Sequence, residues 1–125
     1  MRPMIQPMQR GDERLTEERC YILELSNSAD DPQASIARAR VLPGMTTRWH
    51  RLRDIAERYV LLEGRGEVEI GELAAQMVSV GDVVRIPPGC RQRIRNTGEV
   101  DLIFLAICTP RFEWSAYEDL EAPPR

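Results

Sequence analysis

The sequence predicts an all-β domain, a sandwich or barrel of many short strands. Three observations carry this. From Arg19 onward, strand-forming residues alternate with polar ones in short runs. Glycine and proline punctuate most boundaries between those runs, at Pro43-Gly44, Gly64, Gly66, Gly71, Gly81, Pro87-Pro88-Gly89 and Gly98. The last run, 101–108 (DLIFLAIC), is apolar on both faces, so a second layer or a second subunit must cover it.

Residues 1–17 are polar and interrupted by proline, and read as an N-terminal arm that packs on a neighbouring subunit. Residues 19–25 (RCYILEL) form the first strand, and 27–33 (NSADDPQ) collect turn formers into a loop. In 35–42 (SIARARVL), Arg38 and Arg40 share one face and Ala37, Ala39 and Val41 the other. Further strands are predicted over 46–53, 57–63, 66–70, 76–80, 83–86, 91–96 and 101–108. The tail 111–125 carries a short helix around 115–120, ended by Pro123-Pro124. The domain is placed at 18–110, between arm and tail.

A chain of 125 residues suits one core. It contains no apolar run long enough to span a membrane and no signal-peptide core, so the expected setting is the cytoplasm. Cys20, Cys90 and Cys108 are odd in number and widely spaced, which fits free thiols in a reducing compartment. A net charge of −3 and the absence of a long basic run argue against nucleic acid as a partner. All 17 basic residues are arginine, which excludes Schiff-base chemistry on lysine, and the single histidine, His50, excludes any site needing two imidazoles from one chain.

Two stretches stand out. In the first, Gly44, His50, Glu57 and Gly64 are spaced across PGMTTRWHRLRDIAERYVLLEGRG. In the second, Gly81, Pro87, Gly89 and Asn96 are spaced across GDVVRIPPGCRQRIRN. Together they resemble the two sequence motifs of the cupin family, with Leu52 where the second motif histidine stands and Gln92 where the third stands. The resemblance covers about 35–108 and implies a double-stranded β-helix, the jelly-roll barrel. The runs AERYVLLEGRGEVEIG and DLIFLAICTPRF, with the acidic-aromatic RFEWSAY behind them, also look like the cupin domain of mannose-6-phosphate isomerases. That likeness implies handling of a sugar phosphate.

In cupins the motif ligands point into the barrel. Carried over, this converges His50, Glu57 and Gln92 on one point, with Arg48, Leu52 and Tyr59 lining the same cavity, because residues two apart on a strand share a face. Arg91, Arg93 and Arg95 then face outward, toward carboxylates or solvent. The set His50, Glu57 and Gln92 offers an imidazole, a carboxylate and an amide oxygen. Two readings stay open: the set holds a divalent ion (Mn, Fe, Ni or Zn) completed by water, or the three groups hydrogen-bond one another without metal.

In the first reading the protein is a small-molecule-binding cupin with a reduced metal site and weak activity on a small anionic or sugar-type substrate. Glu57 then serves as general base, His50 as ligand or acid, and Arg48 as anion clamp. In the second it is a non-enzymatic ligand-binding or sensing module. A third reading is mainly structural, a dimer-forming scaffold with a filled barrel; a catalytic thiol at Cys90 or Cys108 is thinner chemistry, since a buried structural cysteine is the commoner case. The doubly apolar final strand predicts a homodimer.

Overall fold

The structure is a computed structural model, and it describes residues 1–121. Eleven strands follow in chain order: β1 (Arg14–Leu15), β2 (Tyr21–Ser26), β3 (Ser35–Val41), β4 (His50–Leu52), β5 (Ala56–Glu63), β6 (Arg65–Ile70), β7 (Gln76–Ser79), β8 (Val83–Ile86), β9 (Gln92–Asn96), β10 (Leu102–Thr109) and β11 (Tyr117–Asp119). They form a six-stranded sheet, β1-β2-β3-β10-β5-β8, and a five-stranded sheet, β11-β4-β9-β6-β7. This is the all-β, two-sheet architecture the sequence predicts.

Strand parity puts the core between the sheets. On β10, Leu102, Phe104 and Ala106 point inward and meet Val41 from β3, Leu61 from β5, and Val68 and Ile94 from the facing sheet. The alternate residues Leu105 and Ile107 face outward and are half-buried. The turn between β5 and β6 needs Gly64. Its φ is +78°, and a Cβ there would lie 2.7 Å from the Asp101 carbonyl oxygen. Asn96, at the end of the second motif, locks a loop from inside: its Nδ2 donates to the carbonyls of Val41 (2.9 Å) and Val100 (2.8 Å), and its Oδ1 accepts from Gly98 N–H at 2.9 Å.

Two local expectations are corrected. The helix expected around 115–120 is a single 3-10 turn, Trp114–Ala116, followed by strand β11, and the last tail residues, 122–125, lie outside those described. The physical reason is β4, a three-residue strand whose outer edge would otherwise leave backbone groups without partners. Strand β11 fills that edge, with Tyr117 opposite Leu52 and Asp119 opposite His50. Ion pairs fix the register: Arg51–Glu118 at 3.1 Å and Arg48–Asp119 at 3.0 Å.

The strand expected over 46–53 is regular only from His50 to Leu52. Before it, Thr46 makes one isolated bridge to Arg95, and Arg48 N–H bonds the Glu18 carbonyl at 3.1 Å. The arm adds β1 to the edge of β2, and Glu13 clasps Arg38 (3.2 Å) and Arg40 (2.5 Å). No helix among the described residues is long and apolar enough to cross a membrane.

Candidate functional site

A pocket of about 440 Å³, counted out to its open mouth, lies between the two sheets where β11 closes over β4. His50 and Leu52 reach it from β4, Glu57 from β5 and Cys108 from β10. Glu18 enters from the loop before β2, Glu24 from β2 itself, and Phe112, Trp114 and Tyr117 supply an aromatic wall from the tail.

Of the residues singled out from sequence, His50, Leu52 and Glu57 line this pocket together. Gln92 and Tyr59 lie behind it, 1% and 4% exposed. Gln92 sits across the ladder from His50, and its Nε2 donates to Glu57 Oε1 at 2.8 Å while its Oε1 accepts a short hydrogen bond from the Tyr59 hydroxyl. Arg48 is not in the pocket. It precedes the regular part of β4, so the parity that would turn it inward is lost, and its guanidinium pairs with Asp119. Arg93 and Arg95 face outward and pair with Glu69 (2.8 Å) and Glu67 (3.4 Å), as the alternation predicts.

The imidazole is held in one tautomer. Its Nδ1 lies 2.7 Å from the Arg48 carbonyl oxygen, which can only accept, so Nδ1 carries the proton and Nε2 offers its lone pair to the pocket. Nε2 faces Glu18 Oε2 at 3.7 Å, and the ring stacks on Tyr117 with centroids 5.1 Å apart. Burial depresses the His50 pKa, against smaller opposing effects from the Arg48 carbonyl and the Asp119 and Glu121 charges.

Burial lifts Glu57 to about 7, opposed by its bonds from Gln92 and Cys108. It lifts Glu18 to about 8, helped by repulsion from Glu57. The Cys108 thiol donates to Glu57 Oε2 at 3.7 Å, and burial pushes its pKa up, so it rests as a thiol rather than a nucleophilic thiolate. Cys90 is not among the residues lining the pocket.

The residues do not form a metal cage. Glu57 has both oxygens engaged, the Gln92 oxygen is held by Tyr59, and Leu52 leaves an apolar corner. Among the described residues no group of three or more His, Cys, Asp or Glu is placed to hold an ion.

Glu18, Tyr117, Trp114 and Phe112 were not anticipated as site residues. Glu18 had no strand signal, because it stands in a turn with Arg19 at φ +67° between it and β2. The aromatic wall had none, because it depends on a strand that reads locally as a helix.

The barrel, the two glycine-punctuated motifs and the inward His50 and Glu57 define a class, and comparison with known proteins agrees with it. Residues 37–108 match the family model described as the cupin domain. The chain belongs to the cupin family. An uncharacterised protein of Methanocaldococcus jannaschii is 34% identical over 87 residues, covering 70% of this chain and 69% of that one.

Among solved structures, a double-stranded β-helix protein from Klebsiella pneumoniae superposes with a TM-score of 0.73 at 16% identity, covering 90% of this chain and 94% of that one. Pac13, described as a nucleoside dehydratase, superposes with a TM-score of 0.74 at 14% identity, covering 91% and 89%. Likenesses at this identity show the fold.

Proposed function

We propose that this cupin binds a small molecule directly through Glu18, His50 and Tyr117, with Glu57 held by its own neighbours behind them and no metal ion between protein and ligand. The observation that carries the reading is the engagement of the motif carboxylate and amide with their own neighbours, Gln92, Cys108 and Tyr59. A sugar phosphate or other anion loses its clamp, because Arg48 is committed to Asp119 outside the pocket.

The test is metal content and melting temperature of protein purified without added metal. The expected result is no stoichiometric metal and no change in melting with chelator. About one equivalent of Mn, Fe, Ni or Zn, lost in His50→Ala and Glu57→Ala, would restore His50, Glu57 and Gln92 as a metal site and overturn the reading.

A second reading is supported by the same groups. Two carboxyls poised at about 7 and about 8 beside a neutral imidazole suit proton transfer, with Glu57 and His50 as the catalytic pair. An acid–base enzyme of this kind gives a pH–rate profile bounded near those values.

Two further features belong to the proposal. The outward face of the six-stranded sheet carries a partly exposed apolar patch, Val60, Leu62, Val83, Leu105 and Ile107, beside Arg38, Arg58 and Arg85, and this patch supports an isologous homodimer. The three free cysteines support a cytoplasmic setting.

A further inference from the structure

The pocket is rich in acceptors, and among the described residues its lining holds no lysine or arginine. Glu18, Glu24 and Glu57 line it, His50 is its one basic group, and no arginine is among the lining residues. Two of its oxygen-bearing groups make no hydrogen bond among the described residues. The Tyr117 hydroxyl oxygen is buried and has no hydrogen bond among the described residues. The Glu18 side chain is 13% exposed and makes no hydrogen bond among those residues; His50 Nε2, which the Arg48 carbonyl fixes as an acceptor, stands 3.7 Å away, and Glu57 repels it. Below about pH 8 the Glu18 proton can turn toward Nε2; once the carboxyl ionises, one acceptor faces another, and a ligand that brings a donor relieves the conflict.

The aromatic wall adds a second requirement. Trp114 meets Tyr117 edge to face with centroids 5.3 Å apart, and Phe112 meets Trp114 in the same way at 4.9 Å. Such rings offer negative π faces, and these attract cations.

From these two features we infer that the pocket takes a small organic cation, an amine whose N–H groups reach Glu18 and Tyr117 while its carbon body lies against Trp114 and Phe112. An anion of the same shape would face three carboxyl groups. A neutral alcohol would satisfy the hydrogen bonds without using the charge. This inference rests on the proposal that the barrel binds a ligand directly, and it adds the ligand's class.

The test compares three molecules with the same ring and different charge: benzylamine, benzyl alcohol and benzoate. Each is titrated calorimetrically into the full chain in chelator-treated buffer at pH 8.5, above the value of about 8 for Glu18. Benzylamine is expected to bind about tenfold tighter than benzyl alcohol, the size of one charge-assisted contact or about 1.4 kcal/mol. Benzoate is expected not to bind. Glu18→Gln removes the preference for the amine, and Tyr117→Phe weakens amine binding in a protein of unchanged melting temperature.

Benzyl alcohol or benzoate binding as tightly as benzylamine overturns the cationic assignment and leaves the ligand pocket standing. No binding by any of the three also overturns the assignment, and the metal measurement then decides the wider reading separately.

Discussion

Replacing Glu18 by glutamine isolates the energetic consequence of a carboxyl held inside the barrel. The amide keeps the shape and removes the titration. Burial raises the folded value from the ordinary 4.5 to about 8. Below about 4.5 the group is protonated whether the chain is folded or not, and its contribution to stability is fully present. As the pH rises the unfolded chain releases the proton first, while the folded protein keeps it until about 8, so stability falls across that window.

Between pH 5.5 and 8 the difference persists over about 2.5 pH units. At roughly 1.4 kcal/mol per unit this is about 3 kcal/mol. For a domain of this size that corresponds to a melting shift on the order of 10 °C. His50 works the other way: its folded value is depressed, so it takes stability away as the pH falls below its ordinary value.

The assay is chemical denaturation of wild type and Glu18→Gln at intervals from pH 5.5 to 8.5. The variant's advantage should grow with pH and level off above about 8. Parallel curves, with a constant offset between the two proteins, would refute the argument that Glu18 is desolvated in the native pocket.

Other consequences can be checked alongside. Asn96→Ala strands the carbonyls of Val41 and Val100 and the N–H of Gly98, and should cost about 2–4 kcal/mol in urea denaturation. Leu61→Ala opens a cavity between the sheets at a residue 1% exposed, with an expected loss of about 2–5 kcal/mol by the same measurement. Asp119→Ala removes the Arg48 pair and weakens the hold of β11 on β4; faster hydrogen exchange at Leu120 N–H, which bonds the Trp49 carbonyl at 2.9 Å, reports it. Sedimentation at micromolar concentration should give twice the 14.3 kDa chain mass, and Leu105→Arg should return it to the single-chain value.

Most of the barrel was legible because its determinants are local. Alternation set the strand faces, and glycines such as Gly64 marked turns that no other residue makes without strain. His50 and Glu57 could be placed in one pocket because their spacing to those glycines resembled a known motif. The site was legible only in part, because half of it is assembled by segments with no strand periodicity of their own. Arg48 was read as inward from a strand that is irregular at that point. Tyr117 was read as helical because Ser115 to Leu120 lacks alternation, yet an open edge on β4 decides its structure from the other end of the chain. Glu18 stands between β1 and β2, in a turn that returns it to the barrel.

The aromatic roof has a consequence for how the molecule is handled. Arg48 and Asp119, which tie it down, stand 71 positions apart, and β11 is made after every other strand among the described residues. Until it arrives, His50 sits on a bare edge and the cavity has no lid. A purification tag or fusion joined behind that strand is therefore attached to the lid itself, whereas one placed ahead of Met1 leaves it untouched.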